Sequence, residues 1–143
     1  MASTVYGYVS GPRMPTKVKL DSSTSTVVVG DFLTLATAGY YKQASAGDEP
    51  HAVAMQASAA PSADGGITIL ADVSTLSVYR YPAASGSVTQ ALVGKKCDVG
   101  GAQSVDIAAS VDGADGDGSL YIREVDTANS WLFVTLNSDY AGV

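Results

Sequence analysis

Short runs of β-branched and aromatic residues, separated by Gly, Asp, Asn or Ser about every ten residues, constrain this chain more than any other feature. Runs of this kind are typical of β-strands, and their regular spacing favours an antiparallel sandwich or barrel. The candidate strands are KVKL (17–20), TVVV (26–29), FLTLAT (32–37), YYKQA (40–44), HAVAM (51–55), ITIL (67–70), STLSVYRY (74–81), SVDIAAS (104–110), SLYIREV (119–125) and WLFVTL (131–136). The sequence therefore predicts an all-β fold.

Alternation within SLYIREV predicts two faces of one strand. One face carries Leu120, Ile122 and Glu124, and the other carries Tyr121, Arg123 and Val125. A different stretch, SVTQALVGKKC (87–97), contains Ser87 and Gln90 at the spacing of a helix capping box, but Gly94 interrupts it. A helical turn and a strand fit this stretch equally well, so we expect at most one short helix.

The length of 143 residues fits a single domain with a core of its own. Residues 1–16 contain two prolines and two glycines, together with alternating apolar side chains, and this composition suits an extended arm better than a core strand. We therefore expect an extended N-terminal arm (1–16) followed by one small antiparallel β-barrel or sandwich domain (17–143).

The charges are unevenly distributed along the chain. There are 14 acidic against 8 basic residues, a net charge of −6, yet Arg13, Lys17 and Lys19 are the only charged residues before Asp21. An acidic body repels phosphate backbones, so we expect no nucleic-acid partner. The short basic stretch can dock on an acidic surface, including that of another copy.

The cysteine count excludes a domain held by intrachain disulfides, and the hydropathy pattern predicts neither a secretory signal nor a membrane helix. Cys97 is the single cysteine, so no disulfide forms within the chain. The N-terminus lacks the features of a secretory signal, and no apolar run reaches the roughly 18 residues of a membrane helix. We expect a soluble protein that is made in the cytoplasm and has no membrane partner.

The single histidine, His51, follows Asp48 and Glu49 and raises the possibility of acid/base chemistry. A general base needs a second positioned group, and an acyl-transfer site adds a nucleophile and an oxyanion hole, none of which the sequence marks. AGDEP (46–50) instead has turn composition between two candidate strands. We expect a β-hairpin here, with His51 as an ordinary residue at a strand start.

The loop GADGDGSLYIRE (113–124) partly matches a calcium-binding EF-hand loop. Asp115, Asp117 and Glu124 occupy ligand positions, but Gly113 stands where the first aspartate belongs, and the flanking segments alternate as strands. A glycine-rich acidic hairpin loop is the favoured interpretation.

No phosphate-binding loop, nucleophile elbow or zinc ligand set is present, so the sequence predicts neither an enzyme nor a cofactor or metal site. Trp131 could stack on a sugar, although an aromatic residue in an apolar strand is more often part of the core. Tyr79 and Tyr81 share one strand face and suit a subunit contact.

The order of the segments at 17–55, 63–82 and 91–136 resembles the head decoration (cement) proteins of tailed bacteriophages and related small virion proteins. The matching motifs are GDFL (30–33), AVAM (52–55), ALVG (91–94) before CDV (97–99), and EVDTANSWLFV (124–134). The resemblance implies a small β-rich domain, often trimeric, that binds the outside of an expanded icosahedral shell. It implies no catalytic residues.

The expectation that follows is a virion protein on the outer capsid surface, synthesised in the host cytoplasm, with the major capsid protein as partner and a homotrimer as its assembly. The arm would add a strand to an exposed sheet edge, and the basic residues would fix its register. The expected contact residues are Val5, Tyr6, Tyr8, Val9, Arg13, Lys17, Lys19, Tyr79 and Tyr81.

Three other functions stay open. A carbohydrate- or calcium-binding module or adhesin is suggested by Trp131, the tyrosines and the acidic loop. A fibre or tail component would share the β content and the lack of chemistry. A hydrolase that uses His51 is the weakest alternative.

Overall fold

The computed structural model describes residues 7–112 and 120–136 of the chain. Eleven strands in those residues form two antiparallel sheets that pack as a sandwich, so the predicted all-β fold is confirmed. In spatial order, the six-stranded sheet contains β1 (Gly7–Ser10), β7 (Val78–Pro82), β11 (Trp131–Leu136), β10 (Leu120–Asp126), β8 (Lys95–Gly101) and β9 (Ser104–Asp112). The five-stranded sheet contains β2 (Pro15–Lys19), β6 (Thr68–Asp72), β5 (Ala52–Ala54), β3 (Phe32–Leu35) and β4 (Tyr41–Gln43).

Both sheets curve so strongly that distant strands of one sheet meet. In the five-stranded sheet, Leu20 beyond β2 bridges Tyr41 of β4, and the Asp21 N–H donates to the Tyr41 carbonyl at 2.7 Å. In the six-stranded sheet, Ala83 beyond β7 bridges Val105 of β9. Such curvature arises because the twist between adjacent strands accumulates across a sheet, so that a small sheet can close around its own side chains.

Two apolar cores result from this curvature. The first lies against the six-stranded sheet and contains Phe32, Ala44, Val53, Tyr79, Tyr81, Val88, Leu92, Cys97, Val99, Val105, Leu120, Ile122, Leu132, Val134 and Leu136. The second lies within the curve of the five-stranded sheet and contains Val18, Leu20, Val27, Leu33, Ala52, Ala54, Ile69 and Ala71. Successive residues of one strand serve different cores, as Phe32 and Leu33 do, because side chains alternate across a sheet.

The buried carboxylate of Asp31 joins the two sheets. It accepts the Val28 N–H at 2.9 Å, and it also accepts the side-chain amides of Gln43 in β4 and of Gln103 between β8 and β9, each at 2.8 Å. Asp31 is 1% exposed. Its hydrogen bonds therefore connect the start of β3 to β4 in the same sheet and to the β8–β9 turn in the other sheet.

Two predicted strand features are wrong. The expected hairpin between YYKQA and HAVAM does not form, because β4 and β5 lie on opposite sides of β3 and pair with it rather than with each other. The run TVVV (26–29) is no strand either. Val27 forms a single bridge to Ser58, while Val28 and Val29 are exposed in a turn that the Asp31 carboxylate closes.

The stretch at 87–97 contains both structures that its sequence allowed. A short 3-10 turn at Gln90–Leu92 is followed by strand β8, which begins at Lys95. In β10, a bulge between Ile122 and Glu124 shifts the register. Val125 therefore packs against the first core and Glu124 is exposed, the reverse of the predicted faces, because a bulge inserts one extra residue into the alternation.

Candidate interaction surfaces

The described part of the predicted arm pairs with the domain. β1 is extended, as expected, but it forms an antiparallel pair with β7, and β2 begins at Pro15, one residue before the predicted end of the arm. Within the described residues, no strand pairs with the other edge of β1. Tyr8 and Val9 in this strand are exposed, at 42% and 44%. Val5 and Tyr6 lie outside the described residues.

A tight turn carries the chain from β1 to β2. Gly11 has φ of +98°, and a Cβ atom there would lie 2.3 Å from the Leu76 carbonyl oxygen, so only glycine fits without displacement. The Ser77 hydroxyl donates to the Pro12 carbonyl at 3.1 Å. The guanidinium of Arg13 lies over the ring of Tyr8, with its carbon 3.7 Å from the ring centroid. These contacts hold Arg13 and Tyr8 against the domain.

The buried carboxylate of Asp72 fixes the end of this turn. Its Oδ1 accepts the Met14 N–H and the Ser74 N–H, each at 2.9 Å, and its Oδ2 accepts the Tyr79 hydroxyl. Burial raises the pKa of Asp72, but the hydrogen bonds from Met14 and Tyr79 outweigh burial and lower this pKa overall. Asp72 is therefore a charged anchor that joins the N-terminal segment to both sheets.

The prediction that Tyr79 and Tyr81 contact a partner is corrected by their positions. Both rings belong to the first core, at 1% and 0% exposure, because the alternation in β7 turns them inward and Arg80 outward. The Tyr81 hydroxyl donates to the Gly30 carbonyl, and burial raises the pKa of both phenols. These two tyrosines stabilise the fold and do not form a surface.

Lys17 and Lys19 are exposed on β2, whereas the side chain between them, Val18, is buried in the second core. They pair across the strands with Leu70 and Thr68 of β6. The structure thus separates the predicted contact residues into an exposed edge at Tyr8 and Val9, and a pair of lysines on the five-stranded sheet.

His51 lies just before β5 and is 8% exposed, as expected for an ordinary residue at a strand start. Its Nδ1 accepts the Leu35 N–H at 3.1 Å. Burial lowers the pKa of His51, and the negative charge of Glu49 opposes this shift. The Asp48 carboxylate accepts the Ser45 N–H at 2.8 Å within its own turn. The imidazole is thus a neutral acceptor that supports β3.

The acidic loop at 113–124, which was predicted as a hairpin loop with calcium binding as the alternative, falls mainly on residues 113–119, which lie outside the described residues. Its last five positions belong to β10, where Glu124 is exposed. Across residues 7–112 and 120–136, no group of three or more His, Cys, Asp or Glu side chains could hold a metal ion. In the same ranges, no helix is long and apolar enough to cross a membrane.

A surface that the sequence interpretation missed covers the outer face of the six-stranded sheet. Trp131 is half-buried there rather than in the core, with the Arg80 guanidinium 5.4 Å from its ring centroid. The Tyr121 ring carries two cations, Arg123 at 4.8 Å and Lys96 at 5.6 Å. The polar Thr135 shares the alternation of Trp131 and Phe133 in WLFVTL, and this was the signal that could have placed Trp131 on the outer face.

No protein-family model matches the chain, and no curated protein matches its sequence.

Proposed function

We propose that this protein is a non-enzymatic virion component that decorates the outer surface of an icosahedral phage head. The observation that supports this proposal best is the unpaired outer edge of β1 among the described residues, which carries the exposed Tyr8 and Val9. An exposed strand edge is a template for strand addition, and natural domains usually cover such edges or place charges on them. The resemblance to decoration proteins favours a capsid as the partner.

In this proposal, backbone groups of β1 pair with a strand of the major capsid protein. Main-chain hydrogen bonds supply affinity, and alternating side chains enter pockets of the partner, which supplies specificity. Because β1 is already docked on β7, it does not have to lose as much conformational entropy on binding as a free arm would. The protein would bind where capsomers meet and stabilise the shell mechanically.

A homotrimer is part of the same proposal and comes from the family resemblance. Three edges on one trimer, facing repeated sites on a symmetric shell, would raise the effective concentration of each contact. The protein would be made in the host cytoplasm and finally lie on the outer capsid surface.

The test is electron microscopy of expanded, undecorated heads mixed with the protein. The wild-type protein should add regular density at capsomer junctions, whereas Val9→Lys should not, because a lysine on the edge opposes strand addition. Val93→Lys is a matched control, since Val93 is 38% exposed beside the 3-10 turn. Bare heads with the wild-type protein would rule out decoration, and decoration by Val9→Lys would rule out the β1 edge.

A carbohydrate-binding module or adhesin is the second candidate, and the outer aromatic face favours it. Trp131 and Tyr121 are half-buried there, and aromatic side chains fixed on a sheet can stack on sugar rings. A ligand selective for the native state raises the melting temperature. A glycan that stabilises the wild-type protein but not Trp131→Ala would support this function, and no shift across a glycan panel or with calcium would exclude it.

A further inference from the structure

A shallow groove crosses the five-stranded sheet where β2 lies beside β6. It is lined by Lys17, Lys19, Gln56, Thr68, Ile69 and Leu70. Lys17 pairs with Leu70 and Lys19 with Thr68, so both lysines lie on one face of the sheet. Positions two apart in a strand are about 6.7 Å apart along it, so the two ammonium groups can reach one short ligand segment.

The groove lies at the exposed end of one face of β6, and the other end of that face is buried between the sheets. Asp72, Leu70 and Thr68 lie on the same side of β6 by alternation. Asp72 is buried between the sheets, Leu70 is half-buried, and Thr68 is exposed. Leu70 therefore presents apolar surface in the floor of the groove, directly between polar side chains.

The polar lining of the groove offers hydrogen-bond donors to a ligand. The Gln56 Oε1 accepts the Leu70 N–H at 2.9 Å, which turns the NH2 group of the same side chain toward other acceptors. No acidic side chain lines the groove, and neither lysine has an ion-pair partner among the described residues. Two ammonium groups and an amide NH2 group thus line a site to which the described part of the chain supplies no counter-charge.

We propose that this groove binds a short, extended, acidic segment of a partner protein, with carboxylates on Lys17 and Lys19 and an aliphatic side chain on Leu70. The two lysine ammonium groups can form ion pairs with one or two carboxylates. They do not match a nucleic acid, which binds through many neutralised phosphates and would be repelled by a chain of net charge −6. The proposal does not depend on decoration of a capsid.

The test is a titration of the 15N-labelled protein, followed by amide NMR shifts, with the blocked peptide Glu-Leu-Glu-Leu-Glu. The expected shifts lie at Lys17 to Lys19, at Thr68 to Leu70 and at the side-chain amide of Gln56. The uncharged peptide Gln-Leu-Gln-Leu-Gln should bind much more weakly, and about 0.5 M NaCl should weaken binding of the acidic peptide by screening.

The double variant Lys17→Gln/Lys19→Gln should raise the dissociation constant of the acidic peptide roughly tenfold, the loss expected from two exposed ion pairs. Lys42→Gln/Lys96→Gln removes the same charge elsewhere and should leave that constant unchanged. Equal binding of both peptides, unchanged affinity in the groove variant, or shifts confined to other surfaces would each overturn the proposal.

Discussion

Two buried carboxylates, Asp72 and Asp31, hold this small sandwich together with partners of different kinds. Asp72 accepts two backbone N–H groups and the hydroxyl of a core tyrosine. Asp31 accepts one backbone N–H and two glutamine side-chain amides. Both carboxylates are buried, so the local loss of solvation is similar.

The difference lies in what happens to the partners when a carboxylate is removed. A glutamine side chain that is half-buried can rotate and bond to water or turn its own oxygen toward a new donor. Backbone N–H groups are fixed by the fold, and the Tyr79 ring is packed in the core, so these donors cannot move to a new acceptor as freely; an unsatisfied buried donor costs about 1 to 3 kcal/mol. Removal of Asp72 should therefore destabilise the fold more than removal of Asp31.

The largest effect is expected for Asp72→Ala. This variant leaves the Met14 and Ser74 N–H groups and the Tyr79 hydroxyl without an acceptor, so the free energy of unfolding should fall by about 4 kcal/mol. Chemical denaturation measures this change. Amide hydrogen exchange should accelerate first in residues 14–19. A loss below that of Asp31→Ala would contradict the explanation.

Gly11→Ala should give the next largest effect and acts on the same N-terminal segment. The added methyl would meet the Leu76 carbonyl oxygen at 2.3 Å in a backbone with positive φ, at a cost of roughly 3 kcal/mol. Gly47→Ala is the matched control, because Gly47 also has positive φ but has no atom within 4 Å of its Cβ position. Comparable melting temperatures for the two variants would show that the Leu76 contact is unimportant.

Asp31→Ala should lower the free energy of unfolding by about 2 kcal/mol, chiefly because the Val28 N–H loses its acceptor. Asp31→Asn should restore most of this loss, since the Asn oxygen can accept from Val28 and Gln43 while Gln103 turns its amide. Urea unfolding of both variants measures the difference. If Asp31→Asn lowers the free energy of unfolding as much as Asp31→Ala does, rotation of the glutamine partners is not the reason for the small effect.

The smallest effect concerns the pH dependence of stability that arises from His51, a buried hydrogen-bond acceptor. The pKa of His51 is lowered from 6.5 by burial, so the unfolded state binds a proton more readily than the folded state does. The contribution of the neutral His51 to the free energy of unfolding should therefore be fully present above about pH 6.5 and should decline as the pH falls below this value. His51→Asn keeps an acceptor for the Leu35 N–H and should flatten this decline in melting curves, whereas an unchanged pH dependence would assign it to other groups.

Strands that form because their own residues have high strand propensity and alternate toward the core could be predicted from the sequence. WLFVTL forms a strand over 131–136, as predicted, because alternating apolar residues fill one core. β8 was only one of two alternatives for its stretch, because its glycines and lysines give little strand propensity, and β1 was expected as an extended arm, because its pairing with β7 depends on a distant strand. The run TVVV has high propensity but forms a turn, since the Asp31 carboxylate fixes it.

The candidate surfaces were harder to predict than the strands. The exposure of Lys17 and Lys19 follows from their alternation with Val18, but the groove also needs Gln56, which reaches β6 from beyond β5. The polar residue between Tyr79 and Tyr81 already indicated that both rings point inward. Periodicity shows which side chains share a face, and the polarity of the alternate residues is needed to show which face is covered.

The pairing of β2 with β6 also governs the order in which the chain can fold. Met14 bonds to Asp72, 58 residues later, so β2 cannot take its final position until β6 has been synthesised. Such distant pairings lose more loop-closure entropy before they gain contacts, which slows folding of all-β domains to about milliseconds to seconds. The pairing of β2 therefore depends on a strand that is distant in the sequence, although the two strands are neighbours in the fold.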